Sequence, residues 1–471
     1  MHSITRSRSC GQLARWFIQR RVALSLTITS VLVTPGSAWA QASPPPAEIL
    51  RRLAALEAEI AELKALIVAQ DVAPTPVRRE DPRPQEAGQP SETAGDRIFA
   101  NYLHDLKFGV GIDTYYAYNF NDPLGRVNLF RAYDVTSNNF SLNQASIIAE
   151  SKPDLEAGRR FGARLDLQYG QATETLQGSL ANEPRPWVYR NVFQAFGTYV
   201  APVGSGLTID FGKWASSLGY ESNYTKDQIN YSRSYWFNLL PFYHMGARVA
   251  YKFGDTTLNY WVTNGTQQTE AFNNFKDQYV GLTLQPSKAL SWNINYYLGQ
   301  EHPDVQAVLL PTEPSLPTQP GLSITPVQPY FRGKLHIFDT YASWQATPTT
   351  LVALEGDYVA NQNPEPAAPS VVTGGAAYLR RQLTPRTGLG FRGEYLLDRN
   401  GLFAGAPQAL KEATVTYDVL VNEGFLVRGE WRRDFSNRPV FLTDSLGVLS
   451  RSQDTATLGI VWWLGTKRGA W

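Results

Sequence analysis

The chain has 471 residues, 43% of them hydrophobic, with 43 Lys+Arg against 42 Asp+Glu and a formal charge of +1. That balance lacks the basic field that nucleic-acid binding requires. The single cysteine, Cys10, excludes an intrachain disulfide and a cysteine-built metal site.

Residues 1–40 read as a secretory signal peptide. Arg6, Arg8, Arg15, Arg20 and Arg21 make a basic start, the apolar run VALSLTITSVLV (22–33) follows, and Ala38-Trp39-Ala40 supplies a small-x-small cleavage site. Cleavage places the mature start near Gln41, removes Cys10, and leaves 38 basic against 42 acidic residues, a net −4. No later segment offers 18 uncharged apolar residues, so a spanning helix is not expected. An exported soluble protein and a β-barrel remain, because only closed barrels share the helix's ability to hide backbone polar groups in lipid.

Residues 41–70 hold a periplasmic coiled-coil segment. Within AEILRRLAALEAEIAELKALIVAQ (47–70), Ile49, Leu53, Leu56, Ile60, Leu63 and Ile67 recur at spacings of 4, 3, 4, 3 and 4. Arg52 faces Glu57, and Glu59 faces Lys64, across a parallel copy of the same sequence. A single amphipathic helix lying on another surface fits the same pattern. About three heptads are marginal alone, because helix nucleation is costly. Residues 71–105 are rich in Pro and charge and read as a linker.

From residue 106 the chain alternates. In LKFGVGIDTYYAYNF (106–120), Leu106, Phe108, Val110, Ile112, Tyr116, Tyr118 and Phe120 share one face, while Lys107, Asp113 and Asn119 share the other. FGARLDLQYG (161–170) and KEATVTYDV (411–419) repeat the device. We read 16 such segments, and the connections alternate between short (254–255, 286–288, 347–349, 421–423) and long (121–139, 171–190, 215–244, 299–334, 435–453). Tight turns at one end and large loops at the other mark an outer-membrane barrel. A soluble sandwich has no reason to alternate its loop lengths. The expected fold is an all-β transmembrane antiparallel barrel of about 16 strands over residues 106–471, preceded by the short coiled-coil helix.

The stretch VRGEWRRD (427–434) shows the division most plainly. Val427 and Trp431 face lipid, while Arg428, Glu430 and Arg432 face water within the cylinder. A charge on the lipid face near mid-membrane would cost about 2–4 kcal/mol. Arg433 sits on the lipid side near the outer end, where a headgroup phosphate could accept it. FRGEY places Arg392 and Glu394 two strands away, with Glu412 and Asp418 between. Arg164 and Asp166 line an earlier strand. The third long loop carries Glu221, Lys226, Asp227 and Arg233 among Tyr220, Tyr224, Tyr231, Tyr235 and Trp236. It either folds inward as a constriction or lies outside as a lid. Most of these charges line the bore and pair with one another, and their mixed signs assign no ion selectivity.

No enzyme pattern is expected. Glu355 and Asp357 share a face at ordinary strand spacing, and His104, His244, His302 and His336 lack paired ligand spacing. No catalytic, cofactor-binding or metal-ligating residue is assigned.

GKWASSLGYES (212–222), NYSRSYWFNLLPFYHMGARVAY (230–251) and FRGEYLLDRNG (391–401) resemble the β-barrel porin family of Gram-negative outer membranes, the OmpL-like group. The resemblance implies a porin in the outer membrane that lets small hydrophilic solutes diffuse passively through a water-filled lumen, with membrane lipid and those solutes as its partners. A sugar-type selective channel and a structural or adhesive barrel are the alternatives. Homo-oligomers through the barrel wall and coiled coil are expected; the resemblance does not extend to residues 1–105.

Overall fold

The computed structural model describes residues 105–177, 183, 185–307, 327–467 and 469–471. The signal peptide, the coiled coil and the linker up to residue 104 lie outside the described residues.

Sixteen antiparallel strands close into one barrel. They begin with β1 (Lys107–Asn119), β2 (Asn139–Ser151), β3 (Phe161–Tyr169), β4 (Val192–Ala201) and β5 (Leu207–Ala215). Next come β6 (Tyr243–Phe253), β7 (Thr256–Thr263), β8 (Asp277–Ser287) and β9 (Leu290–Gly299). A small hairpin, β10 (Val305–Ala307) with β11 (Val327–Pro329), stands apart from the wall. The wall resumes with β12 (Leu335–Thr347), β13 (Thr350–Asn361), β14 (Ser370–Thr384), β15 (Thr387–Asp398), β16 (Gln408–Asn422) and β17 (Phe425–Ser436). A second hairpin, β18 (Phe441–Leu442) with β19 (Leu449–Ser450), precedes the last strand, β20 (Ser452–Gly465). That strand pairs back on β1, from Gly109↔Gly465 to Asn119↔Thr455, so the barrel wall has no open edge.

The alternation of side chains explains the closure. Along β17, Trp431 is 42% exposed, while its neighbours Glu430 and Arg432 are 5% and 0% exposed. The same rhythm puts Phe211, Val280, Phe338, Leu354, Phe391 and Leu458 on the outer surface. An apolar outer band with a polar inner row is what a lipid-embedded cylinder requires. Arg433 does lie on the outer face, but its partner is Asp454, directly opposite on β20 at 3.2 Å. The pair answers on the protein what a phosphate was expected to answer in the membrane.

Short turns gather at one end, as between Phe253 and Thr256 or between Thr347 and Thr350, and long connections gather at the other. The connection between β5 and β6, residues 216–242, differs from the rest because it contacts walls on many sides of the interior. Its order comes from a 3-10 turn at Thr225–Asp227 and a helical turn at Tyr235–Leu239. Ser234 caps that helical turn, its side chain accepting from Phe237 N–H at 2.9 Å.

Candidate functional site

The inward rows of β15, β16 and β17 form a charged lattice. Arg392 donates Nε to Glu412 at 2.8 Å and pairs Nη1 with Glu221 of the loop at 2.7 Å. Arg428 meets Asp418 at 2.9 Å, and Arg432 meets Asp434 at 2.7 Å with Glu394 at 3.7 Å. The register explains these partners: Arg428 stands directly opposite Asp418, and Glu394 directly opposite Glu412. Two acids facing each other repel, and Arg392 and Arg432 on either side offset that repulsion.

What the lattice holds is backbone. Glu430 accepts the N–H groups of Tyr231 and Ser232, and Glu394 accepts that of Tyr235. Glu221 accepts Ser234 N–H at 2.7 Å. In the other direction, Arg428 donates to the carbonyls of Thr225, Gln228 and Asn230, Arg392 to that of Ser232, and Arg432 to that of Arg233. An irregular segment away from water must satisfy its polar groups somewhere. Here the carboxyl and guanidinium groups of the wall do so, and the guanidinium bonds are charge-assisted and stronger than neutral ones. Arg428, Glu430 and Arg432 therefore meet the loop rather than the open water the sequence suggested for them. The loop's carbonyls and N–H groups take the place of that water.

The far wall completes the strap. Asp113 of β1 accepts the hydroxyls of Thr225 and Tyr231 at 2.6 and 2.8 Å. Asp166 of β3 accepts the Tyr224 hydroxyl at 2.7 Å while Arg164 grips it with Nε and Nη2. On β13, Glu355 accepts Tyr220 N–H at 2.9 Å. Residues 216–242 thus bind the inner faces of β1, β3, β13, β15, β16 and β17. Two interior glycines give them room. A Cβ on Gly459 would lie 2.3 Å from the Tyr231 ring, and one on Gly390 would lie 2.5 Å from Ile229 O.

Arg233, fully buried, serves the loop itself. It donates to the carbonyls of Ser222, Tyr231 and Asn223 and lies over the Tyr133 and Phe237 rings. Lys226 and Asp227 pair at 2.7 Å. Burial holds the Lys226 ammonium below the usual lysine range, and Asp227 opposes that shift. They sit with Arg380, Arg386, Asp418 and Arg428 around a vestibule of about 510 Å³. Pro385 and Arg386 of the β14–β15 turn also line it, so it opens toward the short-turn end.

Some contacts had no sequence signal. Arg131, in the first long loop, bridges Asp134 and Asp434 at 2.8 and 2.7 Å. Trp471 packs edge-on to Tyr224, its backbone N–H donates to Asp227, and the Lys226 ammonium lies 4.9 Å from its ring centroid. The loop aromatics Tyr224, Tyr231, Tyr235 and Trp236 are all 4% exposed or less. They anchor the loop and offer no free ring face to a solute.

A family model described as "Putative beta-barrel porin-2, OmpL-like" matches residues 105–463. None of the curated proteins matches the chain in sequence. Similar solved structures include the anion-selective porin from Comamonas acidovorans, with 9% identity and a TM-score of 0.48, covering 76% of this chain and 99% of that one. OprB of Pseudomonas putida has 12% identity and a TM-score of 0.48, covering 79% of this chain and 96% of that one. The outer membrane channel DcaP of Acinetobacter baumannii has 10% identity and a TM-score of 0.46, covering 76% and 96%. The sequence match spans most of the chain and the whole closed wall apart from its last residues: the protein belongs to the OmpL-like β-barrel porin family and is an outer-membrane channel for passive diffusion.

Proposed function

We propose that residues 216–242 set the size limit for small hydrophilic solutes crossing this porin, and that Glu221, Lys226, Asp227 and Arg233 form the constriction with Arg164, Asp166, Arg392, Glu394, Arg428, Glu430 and Arg432. The observation that carries the reading is the set of bonds from Glu394 and Glu430 to loop N–H groups. A loop held by hydrogen bonds to the wall narrows a lumen that sixteen strands alone would leave wide. The chain is not an enzyme on this reading, and it uses no cofactor. The segment 1–40 directs export, and 41–70 stands in the periplasm as a coiled coil on a Pro-rich tether, 71–105. The coil joins the barrel wall in holding a homo-oligomer.

Liposome swelling tests the reading. Proteoliposomes should swell fastest in the smallest sugars and progressively more slowly as solute size rises. Swelling that does not depend on solute size contradicts a constriction, and no swelling at all returns the structural or adhesive alternative.

A further inference from the structure

One group of interior acids departs from the pattern of the rest. Asp434, Glu412, Asp418 and Asp166 each face an arginine within 2.9 Å. Asp339 of β12 and Asp357 of β13 face each other, directly opposite in the register, and Glu355 lies on the same inward row two residues along. One carboxylate oxygen from each of the three lies within 4.8 Å of the others. Like charges so placed repel.

The second observation is which atoms lack partners. Asp357 is only 5% exposed, and neither of its carboxylate oxygens has a hydrogen-bond partner. Asp339, 2% exposed, uses Oδ2 to accept from Asn295 at 2.6 Å and leaves Oδ1 without a partner. Both carboxylate oxygens of Asp434, Glu412, Asp418 and Asp166 meet O–H, N–H or guanidinium groups, whereas these three oxygens have no such donor. A buried charge without a partner is costly, and a hard cation is the partner that an all-oxygen set selects.

We propose that Asp339, Glu355 and Asp357 bind a divalent cation of the Ca²⁺ class. Ca²⁺ bonds oxygens at about 2.3–2.6 Å, so oxygens on opposite sides of one ion are separated by no more than about 5 Å. The cluster meets that limit. Its place gives the ion a task. Glu355 accepts Tyr220 N–H and the Tyr378 hydroxyl, and a Cβ at Gly219 would lie 3.2 Å from Glu355 Oε1. The ion therefore joins the β12–β13 wall to the first limb of the inward loop, opposite the arginine lattice that holds its second limb. This site does not depend on which solute crosses the barrel.

Terbium(III) luminescence tests it on the folded full chain in detergent, stripped first with a chelator. Tyr220, Tyr341 and Tyr378 lie close enough to one another to sensitise an ion here, since Tyr220 packs on both of the others. Saturable tyrosine-sensitised emission is expected, displaced by Ca²⁺. Asp357→Asn and Asp339→Asn should each weaken it at least about tenfold, while Asp444→Asn, an exposed loop acid, leaves it unchanged. Heat-modifiable migration on a gel verifies that each variant is folded. No saturable emission, or a folded Asp357→Asn protein that titrates like the parent, overturns the site. The conductance of the barrel is a separate measurement, so failure here leaves the porin reading standing.

Discussion

At the scale of single residues, two arginines on opposite faces of the wall carry different energies. Arg392 is fully buried between Glu412 and Glu221 and also donates to Ser232 O. Removing it leaves two carboxylates without a cation, and breaking a buried pair in that way costs about 3–5 kcal/mol. Arg433 is half exposed on the outer face with Asp454, where screening reduces an ion pair to about 1 kcal/mol or less. Arg392→Ala should therefore lower the temperature at which the folded gel band converts to the unfolded one by far more than Arg433→Ala. Equal shifts would mean that the lattice holds little of the loop.

At the scale of elements, the strands were readable because lipid and lumen impose opposite chemistry on alternate positions, as Trp431 between Glu430 and Arg432 shows. The charged rows of β15 and β17 were readable for the same reason. The partners were not. Arg428 and Glu430 look on paper like solvated lining; only the folded loop reveals that Thr225, Gln228, Tyr231 and Ser232 are what they bind. Irregular segments have no periodicity to read, so Arg131 reaching Asp434 across 303 positions left no trace in the sequence. Asp339 carries no sequence signal because a lone acid on a strand is ordinary, and only the register sets it against Asp357. The heptad of 47–70 belongs to this scale too. A chain lacking those residues should lose heat-resistant oligomers on a gel if the coil joins chains. Unchanged migration would place the whole association in the barrel wall.

At the scale of the whole molecule, closure and filling are separate properties. The wall closes through the β1–β20 pairing whatever the loop does, and β5 meets β6 along their length from Leu207↔Tyr251 to Ala215↔Tyr243. A chain in which residues 217–240 are replaced by a short Gly-Ser linker should accordingly still form the barrel, with its bore no longer crossed. Single-channel recording of the parent and the trimmed chain side by side in planar bilayers tests the account most directly. It predicts small, steady, ohmic steps from the parent and steps several-fold larger from the trimmed chain. Steps of equal size, or silence from both, would contradict it.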